Sequence, residues 1–163
     1  MSNKLFDKYA DKLPKGLVDF TDAILADGFI RLCNPDTYKD VLEDGYSESD
    51  TIIIGTTVFG DFIVWEKQKY VNLISFSKHS VTVLESGFDF FFDDIEDERF
   101  LKQYFEYELY QQAVNCFGEC SVDECYTINP IPAVGGSATI DRIQIGKVRE
   151  YNAISIEMAG KIM

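Results

Sequence analysis

His79 is the one imidazole in the 163-residue chain, and it stands in a polar stretch between Ser77 and Ser80. A histidine serves as general base where a nucleophile and an orienting acid lie within hydrogen-bond reach, so a turn histidine among hydroxyls reads as a solvated side chain. Cys116, Cys120 and Cys125 are separated by three and four residues. That spacing lacks the C-x2-C knuckle of a structural zinc site, and a fourth ligand would have to come from distant Cys33 or His79. The expectation is no metal, no other cofactor, and reduced thiols buried as small hydrophobes. Gly55-Thr56-Thr57-Val58-Phe59-Gly60 has two glycines but no Lys-Ser/Thr after the second. It reads as a β-turn and not as a phosphate loop. A nuclease centre starting at Pro35-Asp36 would need an acid and a lysine on one face, yet in a strand Lys67 and Lys69 point away from Glu66. Glu119 and Glu124 remain as a carboxylate pair for a hydrolase.

The densest chemical feature is acidic. Asp89, Asp93, Asp94, Glu96, Asp97 and Glu98 stand beside Phe88, Phe90, Phe91 and Phe92, directly before a run with helical periodicity. Carboxylates in a first helical turn interact favourably with the helix dipole, and Asp94 can cap. One or two acids satisfy a helix end, so the surplus predicts a docking surface. The whole chain agrees in sign, with 28 Asp plus Glu against 15 Lys plus Arg and a net charge of -13. Such a field repels a phosphate backbone and draws in basic partners.

A hydrophobic share of 46% and an aromatic share of 14% supply a core for these residues. The N-terminus reaches charge before any apolar run forms, and no stretch approaches the roughly 18 apolar residues of a membrane span, so a cytoplasmic protein is expected. Lys4 to Leu13 predicts an amphipathic helix stopped by Pro14, and Leu17 to Leu25 a second one ending at Gly28. Phe29 to Cys33 predicts a strand, and Asn34-Pro35 the cap and first residue of a helix ending at Gly45.

From there the period changes to two. Thr51 to Val58, Phe62 to Trp65, Tyr70 to Phe76 and Ser80 to Leu84 predict four strands, with Phe88 to Phe92 as an added edge strand. The breaks between them are too short for parallel crossovers, so the strands form an antiparallel meander. Phe100 to Phe117 predicts one long or kinked helix. The tail offers a turn at Pro130-x-Pro132 and a strand over Thr139 to Ile145. Its last segment fits helix or strand, with helix preferred up to Gly160. The expected class is α+β, a central antiparallel β-meander flanked by helices. The expected organisation is one domain over 1–163, with an N-terminal helical segment at 1–45, a sheet at 51–92, and a helix and C-terminal part at 94–163.

These motifs also resemble a family. Leu32-Cys33-Asn34-Pro35-Asp36-x-Tyr38 and Thr57-Val58-Phe59-Gly60-Asp61 with Trp65 are similar to the first half of a bacterial pair. Phe117-Gly118-Glu119, Glu124-x-Tyr126, Pro130, Ala133 and Gly135-Gly136 are similar to its second half. The pair is the GAD-like domain and the domain of unknown function found together in type VI secretion DNase-immunity proteins, and the likeness runs from about Gly16 to Gly160. It implies an immunity protein that binds and blocks a cognate toxin in the cytoplasm, and with the charge balance the expectation is a non-enzymatic protein that neutralises a basic nuclease through its acidic surface, without touching nucleic acid or membrane. The partner-binding residues expected are Asp89, Asp93, Asp94, Glu96, Asp97 and Glu98. The alternative is a small-molecule- or nucleotide-sensing regulatory domain with a pocket near Trp65 and Tyr126.

Overall fold

The computed structural model describes Tyr9, residues 11–14, Leu17 and residues 23–162. The helix expected over Lys4 to Leu13 falls largely outside them, and Lys12 and Leu13 form a turn whose N–H groups donate to the Tyr9 carbonyl at 2.9 Å. Of the helix expected over Leu17 to Leu25, residues 18–22 also lie outside. Its end is a strand instead, β1 (Ile24–Leu25), antiparallel to β2 (Ile30–Leu32). The reason is local: Ala26, Asp27 and Gly28 take φ of 52°, 55° and 95°, a left-handed run that reverses the chain into a hairpin.

The meander is as expected, to within a residue or so at its strand ends. β3 (Thr51–Thr57), β4 (Phe62–Glu66), β5 (Tyr70–Ser75) and β6 (Ser80–Glu85) continue β1 and β2 in one six-stranded antiparallel sheet, each strand beside its sequence neighbours. Gly55 belongs to β3, at a register shift where a Cβ would meet the Arg31 carbonyl at 2.8 Å. The two glycines thus do not share one turn. Both faces of the sheet are covered, which makes β3 to β5 almost continuously buried. Ile52, Ile54, Ile63, Trp65 and Leu73 point into one core, and Ile53, Phe62, Val64 and Ile74 into the other. The alternation that sends neighbours to opposite faces divides one sequence run between two cores.

The first core is closed by helices that differ from expectation. No edge strand forms at Phe88 to Phe92, where α2 (Phe91–Asp94) begins. A strand would have turned alternate rings outward. Folded into a turn, the Phe88 ring packs on Trp65, Phe91 and Phe92 at 6.1, 5.5 and 5.3 Å, leaving Phe90 exposed. The long helix is two, α3 (Glu98–Tyr104) and α4 (Tyr107–Phe117), because Phe105 is extended between them and packs on Phe29 at 5.0 Å.

The second core lies under α1 (Lys39–Gly45) and the last helix. α1 starts later than the cap signal indicates: the Asn34 side-chain oxygen accepts from the Asp36 N–H at 2.9 Å, an Asx-turn that delays the helix to Lys39. Beyond α4 a small antiparallel sheet pairs β7 (Glu124–Ile128), which sequence periodicity does not flag, with β8 (Ile143–Lys147). The expected strand from Thr139 instead opens with a short 3-10 turn at Ile140–Arg142. The closing segment is helical, α5 (Val148–Ala159), and ends at Gly160 with φ 90°.

Candidate functional site

The β3–β4 tip joins the two sheets. The Thr57 hydroxyl oxygen accepts from the Phe59 and Asp61 N–H groups, both at 3.3 Å, and the Thr57 N–H donates to the Asp61 carbonyl at 2.9 Å. Gly60 (φ 82°) closes the turn so near the C-terminal part that a Cβ would stand 3.1 Å from Tyr151 and 3.2 Å from the Cys125 Sγ. The Asn152 side chain donates to the Gly60 carbonyl at 2.8 Å, and the Tyr126 N–H donates to the Val58 carbonyl at 2.7 Å. The Thr-x-Phe-Gly-Asp motif is therefore a joint. Asp61 is 8% exposed, and burial pushes its carboxyl up to about 6 against the opposing pull of Lys78 and the Ser75 hydroxyl.

The open face next to this joint is a groove between the β1–β2 hairpin and α4. Tyr110 donates to the Asp27 carbonyl at 2.6 Å and Tyr107 to the Asp27 carboxylate at 3.4 Å, pinning the hairpin tip to the helix. Two contiguous clefts of about 490 and 460 Å³ share Asp27, Tyr107 and Gln111. Glu96 and Glu98 line one end and Glu119 the other, and no lysine or arginine lines either cleft. Tyrosines beneath carboxylates can seat a cationic side chain by charge and by ring contact together.

The six acids expected to bind a partner divide on folding. Glu96 and Glu98 line the groove, and Glu98 also pairs with exposed Lys102 at 3.4 Å, an exposed contact that a partner can displace at little cost. Asp97 caps α3 by accepting from the Arg99 N–H at 2.9 Å and pairs with Arg99 at 3.3 Å. Asp94 does not cap a helix. It hydrogen bonds Glu85, whose carboxyl rises to about 7 through burial first and Asp94 second. Asp89 and Asp93 are exposed outside the groove. Asp27 is a groove acid that sequence reasoning missed, although the Asp27-Gly28 pair before β2 is a turn signal that could have exposed the hairpin, and Glu119 was read only as half of a carboxylate pair with Glu124.

His79 is exposed in the β5–β6 turn with φ 55°. Cys33 and Cys125 are buried as expected, whereas Cys116 is exposed on the outer side of α4 and Cys120 is half-buried. Among the described residues no group of three His, Cys, Asp or Glu side chains could hold a metal. Glu124 accepts from the Ser121 N–H at 2.9 Å and lies 3.9 Å from Lys147, while Glu119 faces the groove. Trp65 is buried and donates to the Lys12 carbonyl at 2.8 Å, while Tyr126 lines a cavity.

Two family models match the chain in succession. Residues 1–77 match the GAD-like domain, and residues 85–159 match the C-terminal domain of the type VI secretion immunity protein Tdi1. The chain belongs to the type VI secretion immunity family. The boundary between the two matches falls at β6, so the groove of this immunity protein is built from both: Asp27 from the first, and Glu96, Glu98, Tyr107 and Glu119 from the second. The crystal structure of Atu4351 from Agrobacterium tumefaciens has a similar fold, with a TM-score of 0.75 and 19% identity over 95% of this chain and 80% of that one. No curated protein sequence matches the chain. No helix among the described residues is long and apolar enough to cross a membrane.

Proposed function

We propose that this immunity protein neutralises a basic nuclease toxin in the cytoplasm, without catalysis of its own, by taking a cationic segment of the toxin into the groove between the β1–β2 hairpin and α4. The observation that carries this reading is the composition of the groove: Asp27, Glu96, Glu98 and Glu119 over Tyr107 and Tyr110, with no lining cation, on a chain of net charge -13. Asp89 and Asp93 add to the long-range field that steers encounter, and the groove acids supply close contacts. The two sheets act as one binding unit because the β3–β4 tip locks them together.

The test uses the cognate toxin, captured from the source bacterium with this protein as bait. Reversing Glu96, Glu98 and Glu119 together to lysine should abolish protection of a toxin-expressing cell and weaken binding by about a hundredfold or more, since like charges at an interface cost several kcal/mol. Reversing Asp89 and Asp93 should mainly slow association and flatten its salt dependence. Full protection by the groove variant, or loss of protection confined to the Asp89 and Asp93 variant, would place the binding surface elsewhere.

A further inference from the structure

Arg31 is a buried cation that interacts with the exposed Asp123 carboxylate through space and not as an ion pair. It lies in the middle of β2 and is 4% exposed, and among the described residues no carboxylate forms an ion pair with it. One Nη donates to the Ser121 carbonyl at 2.7 Å and the other to the Thr57 carbonyl at 3.1 Å, while the Nε is buried with no acceptor. A guanidinium carries five N–H donors, so three are left over, among them the Nε–H. A buried cation is strongly disfavoured without a counter-charge, and a bidentate carboxylate is the partner whose shape matches the guanidinium fork.

Arg31 also lines a cavity of about 280 Å³ between the β1–β2 hairpin, α4 and the loop after it. Tyr110, Cys120 and Tyr126 form its wall. Both tyrosine hydroxyls already donate to backbone carbonyls, Tyr110 to Asp27 and Tyr126 to Gly118, which leaves the rings as apolar lining. Exposed Asp27 and Glu119 stand at the mouth. A dianion such as phosphate would have to pass both carboxylates, whereas a monocarboxylate with an ammonium group at its other end would satisfy mouth and base together. The volume falls below the roughly 300–1,000 Å³ of drug-sized sites and suits a ligand of few atoms.

We propose that this cavity binds a small α-amino acid, its carboxylate on the Arg31 guanidinium and its ammonium group toward Asp27 and Glu119. The site does not depend on the toxin reading, because it can be examined on the full chain alone. The common α-amino acids are added one at a time to 15N-labelled protein while the arginine Nε–H resonances are followed by NMR. Arg31 is assigned from the resonance missing in Arg31→Lys. The expected result is a saturable shift of that resonance by at least one amino acid, absent with its carboxamide and with inorganic phosphate. No shift by any amino acid, or an equal shift by the carboxamide or by phosphate, overturns the proposal. Should Arg31→Lys not fold, Glu119→Gln at the exposed mouth provides the second test, with the responding resonance followed unassigned. It should weaken the amino acid about tenfold, as expected for one lost charge contact, while leaving the analogue without an ammonium group unchanged. Equal affinities for the amino acid in both proteins would overturn the assigned orientation and with it the site.

Discussion

Replacing Asp61 by asparagine should stabilise the protein more at neutral than at acid pH, by an amount that follows from its burial. The carboxyl titrates at about 6 in the folded chain against 3.8 in the reference state, with burial the largest cause. A raised folded value means the native state holds the proton more tightly. The group's contribution is therefore complete below pH 3.8 and is lost as pH rises through 6. Linkage puts the loss at about 1.6 kcal/mol at pH 5 and about 3 kcal/mol at pH 7.5. Asparagine keeps an oxygen for the Ser75 hydroxyl and never ionises, so it escapes that loss at every pH. Any fixed cost of its amide is the same throughout, which makes the slope the diagnostic quantity. Urea unfolding of both proteins between pH 5 and 7.5, above the sequence pI of about 4.4, should show the advantage of Asp61→Asn growing by about 1.4 kcal/mol over that window. Parallel stability curves would refute the reasoning and mean that Asp61 is hydrated or paired in solution.

Gly60→Ala should cost about 1–3 kcal/mol in urea unfolding, from the positive φ and the approach to Tyr151 and Cys125. Gly135→Ala, in the left-handed region at φ 104° with open space around it, should cost about 1 kcal/mol, and a loss at Gly60 no larger than at Gly135 would contradict a joint at the β3–β4 tip. Tyr46→Phe takes away the 2.7 Å donor to the buried Glu66 carboxylate, leaving Thr51 at 3.2 Å and Asn72 at 3.0 Å. Its expected cost in thermal or urea unfolding is about 1–3 kcal/mol, and a neutral result would mean that water replaces the phenol. Asp94→Asn should lower the Glu85 titration from about 7 while leaving it above 4.5, since burial is the larger cause. Carbon-detected NMR titration reads this directly, and an unchanged midpoint would show that the two carboxyls do not interact.

The meander was legible because its signals are local: β-branched runs separated by breaks too short for any connection but a hairpin. The last helix was legible for a similar reason, a glycine stop after an apolar period. The run from Phe100 to Phe117, expected as one long or kinked helix, divides at Phe105, where packing on Phe29 outweighs continued helical hydrogen bonding. The edge strand at Phe88 to Phe92 failed because Trp65, distant in sequence, offers those rings a shared surface. The acidic run before α3 was visible as composition, yet its roles were not. Asp97 went to a cap, Asp94 to Glu85, and Glu96 and Glu98 to a groove whose other carboxylates come from Asp27 and Glu119. By itself the sequence determined the four-strand meander, the acidic balance and the family, since each rests on residue type, short-range periodicity and motif order. Tertiary structure alone decided which carboxylates face one groove and that Arg31 is buried beside a cavity without an ion pair, because both depend on segments 83 and 90 residues apart meeting across the β1–β2 hairpin and α4.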